Sequence, residues 1–286
     1  MRAFVPDYEM IAPRTLPDAL RILRNEPGVW KPFAGGTDLM VLLEAGKLAH
    51  RLYLSLSHFG ELRGVISDSP EWVMVGALTT YTDVRRSSVL CAEFPMLARA
   101  ARETGSIATQ NRGTLGGNIV NASPAADSPP ALLIYNADLE LMSAGGSRWV
   151  SYSDFHTGYK RMILRPDEIV ARIRLPRDRR HWRQHYRKVG TRKAQAISKV
   201  CFAGASLMQN GRVAEARIAY GSVAPVPIRC RRVENVLAGE AIRPALIEEC
   251  RRILLTEITP IDDQRSSRDY RKCVAQNLLG EFLASL

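Results

Sequence analysis

Two short stretches combine hydroxyls, adjacent glycines and a polar partner: Gly35-Gly36-Thr37-Asp38 and Thr114-Leu115-Gly116-Gly117-Asn118. Adjacent glycines let backbone N–H groups turn toward a ligand with no Cβ in the way. Hydroxyl and amide donors beside a helix start suit an anion such as a phosphate. Taken alone, Gly-Gly between a strand and a helix is a tight turn. Two such loops in one chain could hold the two ends of a long, charged cofactor. Asp127, in a polar run that also holds Pro124, Pro129 and Pro130, and Lys188 are the other candidates. The chain has no G-x-S-x-G, no Walker loop and no G-x-G-x-x-G opening a helix. Its five cysteines form no C-x-x-C and its five histidines no H-E-x-x-H, so no metal site and no catalytic residue is assigned. This inventory fits a dinucleotide that carries its own chemistry, such as a flavin.

The elements that must position these residues follow from periodicity. Residues 30–34 read as an apolar strand that breaks at the glycines, and a short helix follows over 40–45. Upstream, Thr15 is placed to cap an amphipathic helix with Leu16, Leu20 and Leu23 on one face and Pro17 in its first turn. A strand at 52–56 completes a small α/β unit. A strand at 72–75, a helix from Asp83 and a helix over 93–103 come next. Residues 104–112 read as polar and irregular, and 123–130 as barred from regular structure by proline. Apolar runs occupy 131–135, 139–142 and 169–175. Further on, Asn210-Gly211 between runs at 197–208 and 213–220 is a strong hairpin signal. Helical patterns cover 232–237, 244–255 and 269–283. The expected class is α+β: a large domain over 1–177, divided into 1–57 and 58–177, and a domain over 178–286 with a small antiparallel sheet and helices on one face.

The composition, 46% apolar and 24% charged over 286 residues, is that of a chain with a buried core. No apolar run approaches the ~18 residues of a bilayer span. The first residues lack the apolar core of a signal peptide, so a cytoplasmic location is expected. Much of the net charge of +11 is local, with ten Lys or Arg between Arg172 and Lys193 against one acid, Asp178. A solvated linker, a docking face for an acidic partner and a nucleic-acid face all remain open for that run.

The runs Pro32-Phe33-Ala34-Gly35-Gly36-Thr37-Asp38-Leu39 and Thr114-Leu115-Gly116-Gly117-Asn118, with Ala125-Ala126-Asp127 beyond, resemble the FAD-binding medium subunits of molybdenum hydroxylases. These are the bacterial xanthine dehydrogenases, carbon monoxide dehydrogenases and their relatives. The resemblance continues through Tyr186-Arg187-Lys188, Ile197-Ser198-Lys199 and Pro225-Val226-Pro227, in order, over almost the whole chain. It implies a PCMH-type FAD-binding domain followed by a C-terminal domain of the carbon monoxide dehydrogenase flavoprotein type. It implies that the Pro32 to Leu39 run is a first FAD loop around the pyrophosphate, and the Thr114 to Asn118 run a second. Asp127 would meet ribityl or ribose hydroxyls, the Val170 backbone the flavin ring, and Lys188 the flavin's far edge. Thr104 takes the position of an adenine-side aromatic in eukaryotic relatives. The implied partners are a large molybdenum-cofactor subunit and a small [2Fe–2S] subunit, as a heterotrimer or a dimer of heterotrimers, with no nucleic acid and no membrane. Electrons would pass through FAD to NAD or another acceptor, from xanthine or a related N-heterocycle. A self-contained flavin oxidoreductase and a cofactor-free basic nucleic-acid-binding or scaffold protein are the alternatives. Asp262-Asp263 reads as a helix start, and His156 as a residue with no direct catalytic role.

Overall fold

A computed structural model describes residues 7–67 and 69–286. The first layer is a parallel sheet of β1 (Glu9–Ile11), β2 (Lys31–Phe33) and β3 (Leu52–Ser55) in the order β1-β3-β2. The Thr15 hydroxyl accepts from the Asp18 amide and opens α1 (Leu16–Asn25) with Pro17 in the first turn. Its apolar face, Leu16, Ala19, Leu20 and Leu23, shares a core with Leu54, Leu56 and Phe59. The helix after β2, α2 (Thr37–Glu44), has no buried side chain.

The second layer is an antiparallel sheet in the order β4-β5-β10-β6-β7. It is formed by β4 (Val65–Ile66), β5 (Trp72–Gly76), β6 (Asp138–Ser143), β7 (Gly146–Ser151) and, after a small hairpin of β8 (His156–Gly158) and β9 (Arg161–Met162), β10 (Ile169–Pro176). Between β5 and β6 run α3 (Tyr81–Arg86), α4 (Ser88–Glu93), α5 (Pro95–Glu103), α6 (Ile107–Arg112), α7 (Leu115–Val120) and α8 (Pro129–Ile134), and α9 (Tyr152–Phe155) follows β7. Three of these helices correct the sequence reading. Residues 104–112 contain α6, because the Ser106 hydroxyl caps the Thr109 amide. The Thr114 to Asn118 run is the first turn of a capped helix rather than a loop. Pro129 and Pro130 begin α8 instead of barring it, since the first turn has no intrahelical N–H to lose.

The basic run loses its character as a separate charged segment. Arg172 and Arg174 lie two residues apart on β10 and pair across to Glu140 and Asp138 of β6, at 3.2 and 2.8 Å. Arg177 pairs with Glu93 at 2.9 Å, Arg179 with Asp178, and Lys188 with Asp127 at 2.7 Å. Arg183 reaches the Leu286 carbonyl. The first half of the run and Lys188 are thus tied to carboxylates of the fold, while Arg180, Arg183, Arg187, Arg192 and Lys193 stay exposed.

The third sheet is antiparallel in chain order: β11 (Arg183–Val189), β12 (Val200–Gln209), β13 (Arg212–Gly221) and β14 (Ile228–Arg229). Asn210 and Gly211 take left-handed φ of 51° and 72° at the expected hairpin. Strand alternation sends the two faces of β12 into different cores. Val200 and Phe202, with Ile218 and Tyr220, pack under α10 (Arg231–Leu237), α11 (Pro244–Leu254) and α12 (Arg268–Ala284). Cys201, Ala203 and Ala205, with Ala219, join the core of the second layer, where α8 lies on β12 and β13. Helices cover one face as expected, and the other face closes on the preceding layers. Phe202 is fully buried between the rings of Tyr220 and Phe282, at 5.1 and 5.7 Å. Phe202→Ala is expected to cost about 3–5 kcal/mol, read as a lowered midpoint in urea unfolding.

Candidate functional site

β2 delivers the chain to Ala34-Gly35-Gly36. Gly36 is left-handed (φ 72°, ψ −3°) and opens α2 with no side-chain cap. A Cβ there would also press on the Phe33 ring, with Cε1 at 3.1 Å, so dihedral and space both call for glycine. Among the described residues, the amides of Gly35, Gly36, Thr37, Asp38 and Leu39 find no protein acceptor. The first closed bond of the helix is Met40 N–H to Gly36 O, at 2.9 Å. Consecutive free amides around a left-handed residue at a helix start form a concavity suited to an anion.

The second glycine stretch behaves differently. The Thr114 Oγ1 accepts from the Gly117 amide at 3.1 Å. The Leu115 and Gly116 amides donate to the carbonyls of Thr79 and Ala77, at 3.1 and 2.8 Å. The start of α7 thus has its early amides occupied by protein. Gly116 lies against Ala77, whose Cβ would be 2.6 Å from an added Cβ. At Gly35, an added Cβ would overlap the Arg112 carbonyl and stand 3.2 Å from Gly113 Cα. Gly116 lets α7 pack on Ala77, and Gly35 brings the first stretch against Arg112 and Gly113, just ahead of the second. At Gly117 no backbone is in the way: an added Cβ would meet the Thr114 Oγ1 at 2.8 Å and Ala34 Cβ at 3.9 Å, with nothing else within 4 Å.

Asn118 connects this pair to Asp127, since its Oδ1 accepts from the Ser128 hydroxyl at 2.5 Å. One carboxylate oxygen of Asp127 accepts from Lys188 Nζ at 2.7 Å, the other from the Ser198 hydroxyl at 2.6 Å. The Tyr186 hydroxyl donates to the Asp127 carbonyl at 3.0 Å. Burial raises the Asp127 pKa, against the attraction of Lys188 and the hydrogen bonds from Lys188 and Ser198. Lys188 donates also to the Glu103 carbonyl, at 2.8 Å, so it is held inside the seam. Thr104 ends α5 beside this carboxylate and donates to the Ala100 carbonyl at 2.8 Å. Each Asp127 oxygen has one protein donor and keeps acceptor capacity for a hydroxyl. Val170 lies on β10 in the core that also holds Leu115 and Ile119 of α7, where the pairing with β6 shifts register.

Pro32 and Asp38 are exposed; Phe33, Ala34, Thr37 and Leu39 are half-buried around the free amides. The structure thus brings residues 32–39 against 114–118 and gathers Thr104, Asp127 and Lys188 in a second cluster, the two joined through Asn118 and Ser128, while Val170 lies in the core with Leu115. Sequence reasoning missed Lys160. This left-handed residue (φ 56°) sits at the β8–β9 turn and donates to Asn121 Oδ1 at 2.8 Å and to the Asn121 carbonyl. Burial lowers its pKa and the Asp38 charge opposes this. The neighbouring Gly158 signals a turn and nothing more. His156 Nε2 lies 2.9 Å from the Ile119 carbonyl and therefore carries the proton, and burial lowers its pKa. It is a neutral tie to α7. Asp262 and Asp263 accept from the amides of Arg268, Arg265 and Ser266 just ahead of α12, as a helix start requires.

Stacked α+β layers with a nest of free amides in the first define a scaffold suited to a nucleotide cofactor. Residues 6–178 match the family model described as the FAD binding domain in molybdopterin dehydrogenase, and residues 184–286 the CO dehydrogenase flavoprotein C-terminal domain. The chain belongs to this family of FAD-binding oxidoreductase subunits. It is similar to the xanthine dehydrogenase FAD-binding subunit of Escherichia coli, 31% identical over 271 residues that cover 94% of this chain and 92% of the relative. It is also similar to the glyceraldehyde dehydrogenase medium chain of Sulfolobus acidocaldarius, 30% identical with 96% of each chain covered. Its fold superposes on carbon monoxide dehydrogenase from Hydrogenophaga pseudoflava with a TM-score of 0.92 at 26% identity, over 97% of this chain and 96% of the other. No described helix is long and apolar enough to cross a membrane.

Proposed function

We propose that this chain is the electron-transfer subunit of a molybdenum hydroxylase complex. It would take electrons from the [2Fe–2S] clusters of a small subunit, pass them through FAD to NAD or another acceptor, and act beside a large molybdenum-cofactor subunit. Xanthine or a related N-heterocycle is the substrate class that goes with this reading, and the cytoplasm its location. The observation that carries the cofactor part is the run of free amides from Gly35 to Leu39. Bound beside it, FAD would supply the redox chemistry.

The residues divide the binding work. Pro32 and Phe33 lead in from β2. Ala34, Gly35, Gly36, Thr37, Asp38 and Leu39 would hold the pyrophosphate on backbone N–H groups and the Thr37 hydroxyl. Thr114, Leu115, Gly116, Gly117 and Asn118 would form the facing wall, with Gly117 as the point of close approach. Asp127, oriented by Lys188 and Ser198, would accept a cofactor hydroxyl. Val170 would back the ring from β10, and Thr104 would stand on the adenine side. The domain boundary is placed at 177/178, within the short sheet-free interval between β10 and β11, and the inner division at 57/58, between β3 and β4.

The purified chain is expected to carry stoichiometric FAD, read from its visible spectrum and from the nucleotide released on denaturation. A colourless chain that takes up no added FAD overturns the cofactor reading. Tagged chain should bring down a molybdenum- and iron-containing complex that reduces NAD with xanthine. If the flavin-loaded chain alone oxidises an organic substrate, the subunit reading fails.

A further inference from the structure

Arg217 on β13, Arg229 on β14 and Arg231 at the start of α10 line a cavity of about 520 Å³. Asn136, Ser151 and Ser153 add neutral polar groups to its wall. No residue of either glycine stretch lines it. It adjoins the C-terminal end of α8, whereas Asp127 precedes the N-terminal end.

The guanidinium groups here are incompletely matched. Glu215 takes Nε and Nη2 of Arg217, at 3.1 and 3.0 Å. Glu234 takes Nε and Nη2 of Arg229, at 2.7 and 2.8 Å. Both Nη1 groups meet only neutral oxygens, the Ile134 carbonyl at 3.4 Å and Asn136 Oδ1 at 3.1 Å. Arg231 is exposed and its side chain makes no hydrogen bond or ion pair among the described residues. Asp138, the carboxylate in the wall, is held by Arg174 at 2.8 Å. Behind the cavity Arg179 and Arg217 both lie over the Trp182 ring, at 5.4 and 5.8 Å, and the buried Arg179 Nε has no acceptor. Burial and the charges of Arg179 and Arg229 push the Arg217 pKa down to about 10 despite Glu215. Arg179, Arg217 and Arg229 each have one carboxylate partner, and Arg231 adds a positive charge that has none, so an anion in the cavity would take up Arg231 and the two Nη1 groups left on neutral oxygens.

We propose that this cavity is a second ligand site, which takes the oxyanion group, phosphate or carboxylate, of a small molecule up to mononucleotide size. Its volume falls in the range of ordinary ligand pockets, about 300–1,000 Å³. The Nη1 ends of Arg217 and Arg229 are planar donors matched to such a group, and Arg231 closes the charge from the rim. The site stands independently of the FAD reading.

The test uses the whole chain loaded with FAD, so that nucleotide binding cannot report on an empty cofactor groove. Inorganic phosphate, AMP and succinate are titrated calorimetrically at constant ionic strength. Saturable binding of phosphate and AMP marks a phosphate site, and of succinate alone a carboxylate site. Arg231→Glu and Ser153→Glu, both at exposed positions, each place a carboxylate at the cavity and should weaken binding by at least about tenfold. Flavin content and thermal unfolding should not change. No saturable binding of any of the three overturns the proposal, as does binding that persists in both variants. Occlusion of the cavity by an acidic side chain of a partner subunit in the assembled complex would overturn it also.

Discussion

Lys188→Met is expected to destabilise the chain by about 3–5 kcal/mol at neutral pH, the usual cost of stranding one member of a buried ion pair. The pair is enclosed on both sides: the side chains of Lys188 and Asp127 are 6% and 9% exposed. Burial already holds the Asp127 pKa above its ordinary value with the lysine present, and removing the cation raises it further. A carboxyl with a raised folded-state pKa favours folding in its protonated form. Its contribution is complete below the unfolded pKa and is lost as pH rises through the folded value. The variant should therefore recover stability in acid and lose it steeply toward neutrality, with a larger slope than the parent. Urea unfolding across that range measures this, and the double variant Lys188→Met/Asp127→Asn should regain most of the loss. A single variant as stable as the parent at every pH would show that no buried charge depends on Lys188.

Gly35→Ala is expected to empty the chain of flavin. The new methyl would overlap the Arg112 carbonyl oxygen and lie 2.8 Å from the carbonyl carbon. Both are backbone atoms, so no side chain can swing aside, and the two glycine stretches must part. Overpacking of this kind costs about 1–3 kcal/mol, which leaves a folded chain whose FAD-to-protein ratio after gel filtration reports the groove. Gly60→Ala is the control, because nothing lies within 4 Å of a Cβ there and its φ is not left-handed. Unchanged flavin in Gly35→Ala would detach the contact between the stretches from cofactor binding.

The sequence was most informative where chemistry is local. Thr15 with Pro17, Asn210-Gly211 and the apolar face of Leu16, Leu20 and Leu23 each act within a few residues, and the elements stand where they point. Gly35, Gly36, Gly116 and Gly117 were recognisable as a set, but their uses were not. One supplies a left-handed φ, two admit backbone from elsewhere, and one faces the Thr114 hydroxyl and Ala34, and only tertiary contacts tell these apart. The helices α6, α7 and α8 were missed because Ser106, Thr114 and Pro129 read equally well as loop residues until a hydroxyl or a proline ring is seen in a first turn. Lys188 and Asp127 were both legible as candidates, but not as a pair, because they stand 61 residues apart, beyond any local pattern. Lys160 lacked even that much, being a lysine in a turn.

The two-faced burial of β12 bears on how the chain can be taken apart. A protein cut near residue 180 would leave the preceding layers with an uncovered bed for Cys201, Ala203 and Ala205, and strip the Asp127 carboxylate of both Lys188 and Ser198. The two family modules are thus separable in sequence but share one wall in space. Heat or denaturant should melt them in a single transition, with flavin release and loss of the last sheet falling on the same curve.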